Sequence, residues 1–179
     1  AHTNPKIVKE NLDVTQGKLI IGLNTPEEDK LAVSLYNTIL GGGANSKLFQ
    51  NVREKASLAY SAGSSYIRRQ NTILVQTGIE IANYDKALEI IKQQIQEMKN
   101  GNITNDEFNA AKELLISSVN LIPESEEDTI AFYFDQRLFG DNLTITEYAE
   151  KLKNVTMEQV IDVAQKVSID TIYFLKKGE

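Results

Sequence analysis

The sequence predicts an α+β fold of two layers, a mainly antiparallel sheet covered on one face by helices. Three observations predict it. Two strand-like segments adjoin across a polar turn in the middle of the chain, helical stripes with start signals crowd the second half, and an apolar segment closes the sequence. The coarse order is therefore strand, two helices, two strands, several helices, strand.

The first strand is Lys18 to Leu23, a short apolar run bounded by Gly17 and by Asn24-Thr25-Pro26. Thr25-Pro26-Glu27-Glu28 then combines a capping hydroxyl, a proline at the first helical position and a glutamate three residues after the cap. A helix is expected to follow to about Leu40, with Leu31, Leu35 and Ile39 as its stripe. Gly41-Gly42-Gly43 should end it, because three glycines cost too much backbone entropy to stay helical. A second helix from about Ser46 to Ala56 presents Leu48, Phe49 and Val52.

Tyr60 to Ile67 and Thr72 to Ile81 read as a hairpin turning at Arg68-Arg69-Gln70-Asn71. In its second strand Ile73, Val75, Thr77, Ile79 and Ile81 share one face, and Gln76 and Glu80 the other. A long helix follows through Ala87, Ile91, Ile95 and Met98 until Asn100-Gly101-Asn102 stops it. Four capping-box patterns mark further starts: Thr104 with Glu107, Ser125 with Asp128, Thr144 with Glu147 and Thr156 with Gln159. Thr171 to Leu175 is the closing strand, followed by a polar tail. Residues 1–16 read as an N-terminal tail or linker and 17–179 as one domain.

At 179 residues, with 41% apolar and 25% charged side chains, the chain is long enough to bury one core without disulfides or metals. The net charge of −6 argues against a nucleic-acid surface. No apolar run approaches the roughly 20 residues that span a bilayer. The start Ala1-His2-Thr3-Asn4-Pro5 lacks the basic and apolar regions of a signal peptide, so a soluble, cytoplasmic chain is expected. The missing initiator Met suggests a processed chain or an excised fragment. There is no cysteine and a single histidine, His2, placed near a loose chain end. Thiolate chemistry, a Ser-His-Asp triad and a two-histidine zinc site cannot be built from such a chain alone.

Several motifs have ordinary explanations. The triple glycine before Asn45-Ser46-Lys47 looks like a phosphate cradle, but a helix precedes it and Lys47 is followed by Leu48. A hinge between helices accounts for it. The acidic run Glu124 to Asp128 suits the positive end of a helix without any ligand. Arg68-Arg69 at the hairpin tip is expected to be solvated.

The segment Gly41 to Tyr66 is different. Its glycine-rich lead, the run Ser46-Lys47-Leu48-Phe49-Gln50, the triplet Arg53-Glu54-Lys55 and the triplet Leu58-Ala59-Tyr60 occur in an order that resembles the pitrilysin/insulinase family of zinc peptidases, which includes the mitochondrial processing peptidases. Asp13 to Leu19, Thr104 to Leu115 and Thr156 to Val160 resemble other parts of the same family's second domain. The resemblance covers essentially the whole chain and implies a domain of a clamshell peptidase. It also implies that zinc sits elsewhere, since the family's inverted His-x-x-Glu-His lies in another domain and this chain lacks those histidines. Expected partners are a zinc-bearing domain or a paralogous subunit, and a peptide substrate.

By the same resemblance, Arg53 and Tyr60, seven residues apart, reach the substrate backbone near the metal. The chemistry suits them: a guanidinium is a permanent donor fork and a phenol a neutral donor on a rigid ring, fit to bind a peptide carbonyl and a developing oxyanion. The alternative is that Arg53 answers a helix dipole and Tyr60 packs at a strand edge. At the level of the whole protein, an inactive assembly subunit and a stand-alone peptide-binding module stay open beside the peptidase domain.

Overall fold

Leu19, Ile21 and Leu23, alternate residues of strand β2 (Gly17–Asn24), are fully buried, as their spacing requires. The structure, a computed structural model, describes residues 4–177. Its other strands are β1 (Lys6–Leu12), β3 (Ala59–Ile67), β4 (Thr72–Ile79) and β5 (Ser168–Lys177), in the spatial order β1-β5-β2-β4-β3. Every pairing is antiparallel except that of β1 with β5.

Helices α1 (Lys30–Gly41), α2 (Tyr84–Lys99), α3 (Asn105–Leu121), α4 (Glu126–Leu138), α5 (Ile145–Asn154) and α6 (Met157–Lys166) make the second layer. The core lies between. Ile73, Val75 and Ile79 of β4 and Ile172 and Phe174 of β5 join the inward face of β2 against Tyr36 of α1, Ile91 of α2 and Val160 of α6. The opposite face carries exposed Lys18 and Gln76 and is left wet. The predicted two-layer α+β architecture is therefore the observed one.

The departures have physical causes. Residues 6–12, inside the stretch read as tail or linker, form edge strand β1, paired in parallel with β5 from Lys6↔Thr171 to Leu12↔Lys177. Its side chains are almost all exposed, so no apolar alternation announced it, and its partner lies at the far end of the sequence. The rest of that reading at residues 1–3, including His2, and the end of the polar tail at 178–179 lie outside the described residues.

Helix α1 begins later than expected. Asp29, not Thr25, caps it, its carboxylate accepting from the Ala32 amide at 3.2 Å. Thr25 instead donates its own amide to the Asn71 carbonyl at 2.9 Å, which ties the segment to the hairpin turn and keeps it out of the helix. The boxes at Thr104, Thr144 and Thr156 form reciprocally, whereas at Ser125 only the hydroxyl-to-Asp128 half is present.

The arginines at the hairpin tip are paired, contrary to expectation. Arg68 meets Asp141 at 2.7 Å and stacks over Phe139, and Arg69 meets Asp135 at 2.6 Å. Helix α4 explains this. Gln136 is its buried residue and Ile130, Phe134 and Leu138 are exposed, and Asp135 on the helix and Asp141 just past its end tie this weakly buried element to the hairpin.

Candidate functional site

The glycine-rich segment links α1 to the helical turn that resumes at Lys47, as read from the sequence, and its first glycine also serves packing. Gly41, the last residue of α1, lies against β3 so closely that a Cβ there would sit 2.5 Å from the Ser64 amide nitrogen. The close approach is what demands glycine. Lys47, which follows the glycines, is buried and gives its ammonium to both Glu107 oxygens, at 2.9 and 3.1 Å. That pair locks the start of the next helical segment onto α3.

This segment winds from Lys47, and from Phe49 to Lys55 it is a π-helix, a wider turn with i→i+5 bonds. It ends at Ser57, whose φ of 52° is left-handed. The Ser57 amide bonds to the Arg53 carbonyl at 3.1 Å and the Leu58 amide to the Val52 carbonyl at 3.1 Å, so the chain reverses within two residues. A left-handed turn in a residue with a Cβ costs about 1 kcal/mol. Ser57→Gly is accordingly expected to raise stability by up to about 1 kcal/mol, read as a higher midpoint in urea unfolding.

The reversal carries the chain straight into β3, and there a bulge occurs. Ala59 pairs with Ile79 and Ser61 with Gly78, which leaves Tyr60 as the extra residue. Bulges re-aim side chains. The Ser61 hydroxyl accepts the Gly78 amide at 3.3 Å and so pins the irregularity from one side.

Arg53 and Tyr60 thereby line one open cleft of about 390 Å³, together with Glu54, Ser57, Glu80 and Asn83. The Arg53 guanidinium lies over the Phe49 ring, 4.6 Å from its centroid, with Nε 3.7 Å from the Glu54 carboxylate. It is 43% exposed, so the loose ion pair leaves donors free for another acceptor. Tyr60 is 55% exposed and donates its hydroxyl to Glu80 Oε1 at 3.2 Å. That hydrogen bond to Glu80, its negative charge and some loss of solvent push the phenol above its ordinary value. The two residues singled out in the sequence are thus brought together. Glu80 and the bulge were missed: Glu80 read only as a solvent-facing residue of the second strand, and no local pattern signals a bulge.

The donor chemistry does not fit a metal. Cysteine is absent and His2 is the sole histidine. Among the described residues no group of three His, Cys, Asp or Glu is placed to hold an ion. No described helix is long and apolar enough to cross a membrane.

The cleft is open and polar, and comparison with known proteins shows which family the chain belongs to. The family described as the peptidase M16 inactive domain matches residues 1–115. The chain belongs to that family, which bears out the pitrilysin/insulinase resemblance. It is 36% identical, over 98% of its length, to the "Probable inactive metalloprotease YmfF" of Bacillus subtilis, and 30% identical, over 82%, to an uncharacterized zinc protease of Streptomyces coelicolor. It spans only 42% of the first relative and 32% of the second. Among solved structures it superposes on a conserved protein from Enterococcus faecalis with a TM-score of 0.90 at 28% identity, covering 99% of this chain and 43% of that one. A peptidase M16 inactive domain from Pseudomonas fluorescens shares the fold, with a TM-score of 0.82 at 21% identity, covering 98% of this chain and 44% of that one.

Proposed function

We propose that this domain is the non-catalytic, C-terminal part of a zinc-dependent peptidase, forming a wall of the chamber and holding peptide substrate while a second domain or paralogous subunit carries the zinc. The observation that carries the reading is the shared cleft of Arg53 and Tyr60, two unlike polar groups that a π-helical turn, a left-handed Ser57 and a bulge aim at one space. Arg53 donates to a peptide carbonyl, and Tyr60 supplies the second polar contact from a rigid ring. The chain itself performs no hydrolysis. A soluble, cytoplasmic assembly goes with this reading.

The test joins the chain to its zinc-bearing domain or partner and follows cleavage of a peptide. Arg53→Ala is expected to lower kcat/KM by about tenfold, and Tyr60→Phe by several-fold, the size of lost hydrogen bonds to a charged and a neutral donor. Unchanged turnover in both variants removes the assigned roles. A second reading, a catalytically silent assembly subunit, is favoured by one observation, the word "inactive" in the name of the Bacillus subtilis relative. Under it the joined protein cleaves nothing even with zinc supplied.

A further inference from the structure

Resting on the reading just given, we propose that Glu80 is a positioning residue that sets the polarity of the cleft: it accepts the hydrogen bond of the Tyr60 hydroxyl, so that the phenol oxygen offers its lone pairs to a backbone N–H of the peptide while Arg53 serves a carbonyl. A phenol has one hydrogen to give. Here it is given to Glu80 Oε1 at 3.2 Å, and the carboxylate, having no hydrogen of its own, accepts without competing as a donor. What Tyr60 keeps for a ligand is acceptor capacity. Arg53 is the opposite, a donor without acceptor capacity. Arg53 and Tyr60 in one cleft thus match the two unlike groups of a peptide backbone, N–H and C=O, instead of offering two donors to one oxygen.

The backbone holds this arrangement from both sides. Tyr60 is the unpaired residue of the bulge between Ala59↔Ile79 and Ser61↔Gly78, and Glu80 directly follows Ile79 on the partner strand. The phenol and carboxylate therefore leave the same end of the hairpin. The Ser61 hydroxyl on the Gly78 amide at 3.3 Å stops the bulge from sliding along the ladder. The upward push on the phenol that Glu80 causes is consistent with a hydroxyl that keeps its hydrogen and donates it to the carboxylate.

The test uses the assembled, zinc-bearing protein, a cleaved peptide, and analogues in which single non-scissile amides become esters, each removing one N–H. At one position wild type should lose about five- to tenfold in 1/KM with little change in kcat, the size of one hydrogen bond to a strong acceptor. Tyr60→Phe removes the acceptor and should shrink that ester penalty to less than about twofold, and Glu80→Ala, which leaves the hydroxyl free to turn its hydrogen instead of its lone pairs toward the ligand, should shrink it by at least half. Glu80→Gln, whose amide oxygen still accepts the phenol proton, should restore most of it. A purely structural role of Glu80 would lower all substrates alike and leave the ratio unmoved. If Arg53→Ala and Tyr60→Phe alter cleavage but the ester penalty survives Glu80→Ala, this inference alone falls. If no ester position is penalised in wild type it falls as well. If Arg53→Ala and Tyr60→Phe are silent, the parent reading falls with it.

Discussion

Gly41→Ala is expected to destabilise the domain by about 2–3 kcal/mol, the cost of overpacking a site whose neighbours cannot yield. The added Cβ would meet the Ser64 amide nitrogen at 2.5 Å, the Ser64 hydroxyl at 2.6 Å and the Gly63 carbonyl carbon at 2.8 Å. Two of those atoms are backbone, held in the β3 and β4 ladder, so relief requires helix α1 to lift from the sheet. The move would also stretch the bond from the Ser64 hydroxyl to the Asn37 carbonyl, 3.2 Å long in the native packing. Gly22→Ala is the control. Its Cβ meets nothing nearer than the Thr171 carbonyl at 3.9 Å, and its cost should be well below that of Gly41→Ala. Urea unfolding of both variants decides the matter: equal midpoints would show that close approach is not why position 41 is glycine.

Glu107→Ala should cost about 2–3 kcal/mol, because it strands an ammonium away from water. The Lys47 side chain is 8% exposed, against 24% for Glu107. The same substitution removes the carboxylate that accepts the Thr104 amide at 2.8 Å, and with it half of the capping box of α3. Lys47→Met should be far milder. It replaces a buried charge with an apolar chain of similar length, and Glu107 keeps Thr104 and some water. The asymmetry between the two is the diagnostic result, and equal losses would mean that the pair's attraction, not the stranded charge, dominates.

The pair also predicts an acid dependence. Burial alone would raise the Glu107 carboxyl, but the Thr104 amide and the Lys47 ammonium outweigh it and hold the group below its ordinary value. A carboxyl lowered by folding contributes stability that is complete above its unfolded value, about 4.3, and is lost as pH falls through the folded one. The stability of wild type should therefore decline in that acid range more steeply than that of Glu107→Gln, in unfolding measured from pH 7 downward.

Much of this domain was readable beforehand. β2 and β4 show the period of two that a half-buried sheet imposes, and the Thr104, Thr144 and Thr156 boxes state helix starts in local hydrogen-bonding terms that need no distant partner. Arg53 and Tyr60 were found through an ordered motif, and their meeting follows from a turn only a few residues long. What escaped has the opposite character. β1 is a strand only because β5 lies beside it, and Arg68 and Arg69 are bound only because α4 and the turn that follows it arrive from some 70 residues away to bring Asp135 and Asp141. The start of α1 moved because Thr25 had a partner in Asn71.

By itself the sequence determined the layer architecture, the absence of thiolate and paired-histidine ligands, and the two polar side chains that mark the cleft, since each depends on residue type and short spacing. Tertiary structure decided that Gly41 must be glycine, that Lys47 is tied to Glu107, and that the proton of Tyr60 faces Glu80. Those are contacts between segments far apart in the chain or across a bulged ladder, and their energies exist only once folding has set the distances.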